Sequence, residues 1–241
     1  MSMIWIIAKR ELKSFFDSLL AYIIIIAFLV LTGLFTWLVG QPIFLMKEAS
    51  LMSFFRIAYW ALFFLTAALT MSTIAGERNN GTLEVILTKP VTDLQLIIGK
   101  FVAVLILIII SLALTLSYYI TVANIGPIDH GATIMAYFGL ILMSAAYISI
   151  GIFASSLTNN QIIAFLLALF IGIFFQFIFG TIAQYFPGFI GNTLNYLSIS
   201  THFESIIRGV VDSRDIIFFL SIIVLGLFGA ELVISKRNLT D

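Results

Sequence analysis

Six stretches of about twenty predominantly apolar residues run through this chain, and about twenty helical residues rising ~1.5 Å each cross a ~30 Å hydrocarbon layer. They lie at 19–39, 54–75, 96–120, 133–154, 161–180 and 216–234. In lipid every backbone N–H and C=O needs a partner inside the protein, so each stretch is expected to be helical. The 241 residues are 61% hydrophobic and 10% charged, against about 45–50% and about 25% in soluble domains. The expected fold class is an all-α membrane protein, a single transmembrane domain over 1–241. The first stretch exceeds the h-region of a signal peptide and no Ala-x-Ala follows it, so it reads as a retained span.

Formal net charge is zero, and no basic run of nucleic-acid type occurs. The absence of cysteine excludes disulfides and thiolate metal sites. His130 and His202 are far apart and read as loop histidines at a membrane surface rather than a metal site, which needs three or four ligands at diagnostic spacing. No Gly-x-x-x-x-Gly-Lys-Ser/Thr loop is present; Gly99-Lys100-Phe101 lacks its earlier glycine and its hydroxyl residue, so ATP chemistry would belong to another polypeptide. No catalytic grouping stands out.

Charge asymmetry sets the expected orientation. With the N-terminus inside, the inner segments hold Lys9, Arg10, Lys13, Arg78, Lys89, Lys100, Lys236 and Arg237, and the outer ones Lys47, Arg56, Arg208 and Arg214. Both termini are thus expected in the cytoplasm. Asp17 or Ser18 is expected to cap the first span, Thr92 with Gln95 the third by a capping box, and Asp212 or Ser213 the sixth, with Asp215 near its positive end. Tyr118 and Tyr119 suit the outer interface. Asp129-His130, after Gly126-Pro127, reads as a turn.

Two amphipathic helices frame the spans. In 1–18, Ile4, Ile7, Ala8, Leu12, Phe15 and Phe16 recur at helical spacing with Lys9, Arg10, Lys13 and Asp17 on other faces, the pattern of a helix lying on the inner leaflet in contact with membrane lipid. In the outer segment, 181–215, Phe203, Ile206, Ile207, Val210 and Val211 follow the same rule, with Thr201 and Glu204 as a capping box. Inside the spans, Glu231 reads as a local partner of Lys236, and Gln176 lies deep among phenylalanines. Ala164, Ala168 and Gly172, spaced by four, let helices approach closely, within the chain or across a subunit interface.

The polar interruption after the second span, 77–91, is the segment that looks built to be gripped. Asn79-Asn80-Gly81 signals a turn. Thr82 can then cap a short helix, Glu84 suits its first turn, and Pro90 ends it. Such a helix presents Leu83, Ile86 and Leu87 beside Glu84 and Lys89.

The run Gly76-Glu77-Arg78, Gly81-Thr82-Leu83-Glu84, Leu87-Thr88-Lys89-Pro90-Val91 and Gly99-Lys100 resembles the corresponding loop of ABC-2 type transporter permeases. The resemblance implies that this loop is a cytoplasmic coupling helix docking on a separate ABC ATPase subunit through Glu77, Arg78, Thr82, Leu83, Glu84, Ile86 and Leu87. It also implies two ATPase copies that bind ATP and Mg, a second permease subunit of the same or a different chain, no cofactor in this chain, and a bacterial inner-membrane location. Residues 197–215, with His202, Phe203, Glu204 and Arg208, are similar to the permeases of gliding motility and of nitrous-oxide-reductase maturation, and the expected class is gliding motility or export.

The alternative function is a mechanotransmission or scaffolding subunit that moves a periplasmic partner while no cargo crosses the bilayer. A secondary transporter working alone fits less well, because no span holds a proline or a mid-span charge.

Overall fold

The computed structural model describes residues 2–39, 50–83, 91–209 and 212–237, the Arg237 side chain excepted. All regular structure among them is helical: α1 (Met3–Asp17), α2 (Leu20–Trp37), α3 (Met52–Thr70), α4 (Ala75–Asn79), α5 (Asp93–Leu114), α6 (Leu116–Ile125), α7 (His130–Ser156), α8 (Gln161–Ile173), a π-helical turn (Phe174–Ile178), α9 (Phe179–Ala183), α10 (Phe189–Tyr196), α11 (Ile199–Ile207) and α12 (Ser213–Arg237). Six helices or helix pairs are long and apolar enough to cross a membrane, as the sequence predicts. Six crossings return the chain to its starting side. The end carrying α1, α4 and the close of α12 is here the terminal face, and the end carrying α10 and α11 the far face.

The fourth span, α7, is the hub. Of its most apolar window 78% is buried, against 28% for α2 and 22% for the fifth and sixth spans. It packs against α12, α8, α3, α5 and α11. Sequence explains the choice, because α7 carries Gly139, Ser144, Ala145, Ala146, Ser149, Gly151, Ala154 and Ser155, all buried, and small side chains let neighbouring backbones approach. The outer faces of α2, α8 and α12 instead expose Ile23, Ile26, Leu166, Phe170, Val224 and Leu225, as helices facing lipid do.

Several boundaries differ from those the sequence suggests. Neither Asp17 nor Ser18 caps the first span. Its N-cap is Leu19, in the left-handed region at φ 62°, without a side-chain cap; Ser18 donates its hydroxyl to the Phe15 carbonyl instead. That tight reversal lets α1 fold back beneath the bundle. The third span runs on through α6 to Ile125, bent at Thr115, whose hydroxyl bonds the Leu112 carbonyl at 2.7 Å and lies 3.1 Å from the Tyr137 hydroxyl. Tyr118 points inward, donating to Leu29 O and packing against Trp37 and Phe54. Asp129 is not in a free turn: it caps α7 by accepting from the Ala132 N–H, and His130 is the first helical residue.

Two expected caps form. Thr92 and Gln95 make the reciprocal capping box at the start of α5. Asp212 accepts from the Arg214 N–H at 2.9 Å at the start of α12. The Thr201–Glu204 box does not form. The helix opens three residues earlier, behind Ser198, and Thr201 donates to the Asn195 side chain. Val210 and Val211 lie outside the described residues. Glu231 and Lys236 form no ion pair among the described residues; at that end Ser235 donates to Asp93.

Candidate functional site

The base of the 77–91 segment is where the terminal face concentrates its polar chemistry. It is built in two steps: a break in the second span, then a charged junction.

The second span stops at Thr70 and resumes as α4, and the hydroxyl of Ser155 from α7 occupies the break. It accepts from the backbone N–H groups of Ile74 and Ala75 at 3.1 and 3.0 Å and donates to the Met71 carbonyl at 3.1 Å. One side chain thus serves the groups that a helix end leaves without partners. Arg78, one turn on, donates to the Ser156 carbonyl at 2.9 Å and approaches Asn159. The short helix is therefore fastened to the end of α7.

On the other side of α4, Glu77 meets Lys100 and Arg10. The Lys100 ammonium, fully buried in α5, lies 2.9 Å from Glu77 Oε1 and 3.2 Å from Glu11 Oε1. Arg10 lies 3.2 Å from Glu77 Oε1 and 3.8 Å from Glu11 Oε2, with its side chain 45% exposed. Two cations and two carboxylates balance. The buried ammonium is shared between acids from two different helices, so α1, α4 and α5 are joined at one atom. Gly99 makes this possible: a side chain there would stand 2.7 Å from Ile7, and its absence lets α1 lie directly on α5.

The residues expected to grip a partner fall into four groups. Glu77 and Arg78 spend their charge inside the chain. Thr82 is exposed and helical, its hydroxyl closing the turn onto the Glu77 carbonyl rather than capping a new helix. Gly81 makes the expected turn at φ 66°. Leu83 is not presented to the cytoplasm: at 1% exposure it belongs to the main hydrophobic core. Glu84, Ile86, Leu87 and Lys89 lie outside the described residues.

Elsewhere, Ala164, Ala168 and Gly172 are buried within the chain. Ala168 packs with Ala67 and Ala154, and Gly172 sits against the Phe63 ring so closely that a Cβ would overlap it. His202 is no loop histidine. It is 4% exposed on α11, with Nδ1 2.6 Å from Asp215 Oδ1 and Nε2 2.8 Å from the Tyr196 carbonyl. Phe203 is buried and stacks on Tyr59 at 4.8 Å between ring centroids. Glu204 and Arg208 are exposed neighbours 3.9 Å apart.

Sequence reasoning names Arg10 and Lys100 only for orientation and motif and does not name Glu11, yet two of the three left a signal of their pairing. Glu11 falls on the buried stripe of α1, at helical spacing from Ile7, Ala8 and Phe15, and Lys100 falls on the stripe of Ile97, Ala103 and Val104. A charge on an apolar stripe needs a partner.

The family model for ABC-2 family transporter proteins matches residues 47–234. No curated protein matches the chain.

Proposed function

Because the chain belongs to the ABC-2 transporter family, as a multi-pass membrane protein of that family, we propose that it is the permease subunit on which an ABC ATPase acts through residues 77–91. The observation that supports this reading is the junction at Lys100. A push on the loop reaches Glu77, and from there a buried ammonium shared with Glu11 carries it to both α5 and α1. Ser155 and Arg78 carry it to α7, the hub. The described base of the loop is fastened on both sides, to α7 and to the Lys100 junction. ATP and Mg are bound by the partner, and this chain supplies the moving spans.

The excess of basic residues at the terminal face supports a cytoplasmic position for both termini. Two ATPase copies and a second permease half, identical or different, complete the assembly in this reading, within a bacterial inner membrane. The likeness of residues 197–215 to gliding-motility permeases supports the motility or export class.

The chain has no cysteine, so one introduced at Asn80 reports the loop's location without background. An impermeant maleimide applied to intact cells is expected to leave it unlabelled and to label it after lysis. Labelling in intact cells overturns the orientation. Co-purification of an ATPase chain bearing a phosphate-binding loop, lost on Ile86→Asp with Leu87→Asp, tests the contact. Leu83→Asp is a poor probe, since it places a carboxylate in the core.

A further inference from the structure

A cavity of about 720 Å³ opens on the far face between the first half of α3, the π-helical turn and α11. Its volume falls within the ~300–1,000 Å³ of small-molecule sites. Its deepest polar group is Gln176, which the π-helical turn aims inward at 2% exposure; single-turn π-bulges recur at functional sites. The Gln176 side chain faces the Tyr59 hydroxyl, which also neighbours Ser200, but neither Gln176 nor Tyr59 completes a well-formed hydrogen bond there. These polar groups keep donor and acceptor capacity turned into the cavity, and an unpaired buried polar group costs about 1–3 kcal/mol, so a hydrogen-bonding occupant is favoured there.

The rim is cationic. Arg56, Tyr59 and Trp60 share one face of α3, at i, i+3 and i+4, and Arg56 forms no ion pair among the described residues. Arg208 stands on the opposite lip with Glu204 beside it. Trp60 and Phe177 also line the cavity and are 43% and 57% exposed. Both lie on membrane-spanning segments, so their exposed area faces hydrocarbon.

We infer that this cavity binds an amphiphile with an anionic, hydrogen-bonding head group. The head takes Arg56 and Arg208 at the rim and the Gln176 amide below, and the apolar part lies along Trp60 and Phe177. A guanidinium prefers phosphate or carboxylate oxygens, and the cavity lining includes Met52, the first residue of the second span. Treating the bound amphiphile as what the permease moves rests on the function proposed above; the binding itself does not.

Trp60 is a built-in reporter. With Trp5→Phe and Trp37→Phe, the full chain retains it as the sole tryptophan. The reporter is placed in nanodiscs of phosphatidylcholine, and brominated phosphatidylglycerol or brominated phosphatidylcholine is added as quencher. The expected result is stronger quenching by the anionic lipid, reduced about two- to fivefold in apparent affinity by Arg56→Gln, as for one partly exposed ionic contact, and lost on Gln176→Leu. Competition by added glycerol 3-phosphate assigns the site to a soluble phosphate ester, and its absence assigns it to a bilayer lipid. Equal quenching by the two lipids in the otherwise unmutated reporter overturns the inference and needs no cavity variant. ATPase co-purification is measured on the same variants: its loss from the unmutated chain strikes the coupling proposal, whereas intact assembly with equal quenching strikes this one alone.

Discussion

The ammonium of Lys100 lies 2.9 Å from the carboxylate of Glu77, buried, although the two residues belong to different helices separated by the whole 80–92 connection. Transfer of an ammonium out of water is costly, and the cost is offset here by two carboxylates, Glu77 and, at 3.2 Å, Glu11. The same junction tolerates change at its surface and resists it in its interior. Glu77→Gln and Glu11→Gln each leave Lys100 one acid and are expected to be survivable singly; together they strand the charge. The double variant should therefore lose more stability than the sum of the single ones, read as thermal unfolding of the purified chain in detergent. Strict additivity would show that the three groups do not act as one unit.

Arg10 gives the contrast. Its side chain is 45% exposed, where an ion pair contributes about 0–1 kcal/mol. Arg10→Gln is expected to shift the unfolding midpoint slightly. Lys100→Met, which leaves two carboxylates close together beneath α1, is expected to cost about 3–5 kcal/mol. The midpoints of the two variants, measured side by side, decide whether burial or charge count governs the junction.

Ser155 replaces the broken helix ladder with one hydroxyl. Ser155→Ala removes partners for the N–H groups of Ile74 and Ala75 together, an expected loss of about 1–3 kcal/mol. The effect should be local. Hydrogen exchange at the amides of 74–79 is expected to accelerate, while that of α12 stays unchanged. Uniform acceleration would mean that the break is held by packing rather than by this side chain.

How far the sequence foretells these features depends on how local each one is. Spans are set by runs of apolar residues, and capping at Thr92 and Asp212 by residues within one turn, so both are legible. Lys100 and Glu11 are half legible: their places on apolar stripes announce a partner without naming it, because the pairing is made across 89 residues of chain. Ser155 is not legible, since a serine in a span ordinarily bonds its own helix, as Ser156 does with Phe153. The inward turn of Leu83 and the aim of Gln176 depend on the Asn80-Gly81 turn and on a single π-helical turn, and one residue of phase reverses either. A helix starting at Thr82 reads as presenting Leu83; α4 ends at Asn79, and the Gly81 turn at φ 66° that follows it precedes a Leu83 that is buried.

Gly172 tests whether the small-residue stripe serves the chain's own packing. A Cβ there collides with the Phe63 ring, so Gly172→Ala is expected to destabilise the monomeric chain, and Phe63→Leu to relieve part of that loss in the double variant. Thermal unfolding under dilute detergent conditions measures both. If Gly172→Ala left the chain's own stability untouched but weakened association between chains, the stripe would belong to a subunit contact instead.

His202 and Asp215 hold the far-face helix α11 to the last span. A carbonyl only accepts, so Nε2–H donates to Tyr196, and Nδ1 lies 2.6 Å from Asp215 Oδ1. The ring is further clamped by stacking on Phe218, 4.0 Å between centroids. His202→Phe keeps the stacking surface but leaves the Asp215 carboxyl, 5% exposed, without its imidazole partner, and is expected to cost about 1–3 kcal/mol or more, as for a buried polar group left unpaired. Adding Asp215→Leu removes the stranded carboxyl and should restore much of that loss, because two apolar groups of similar shape replace a matched pair. Unfolding midpoints for the two single variants and the double variant provide the test. A double variant no more stable than His202→Phe alone would show that α11 is held by its aromatic packing and that the ion pair contributes nothing to its attachment.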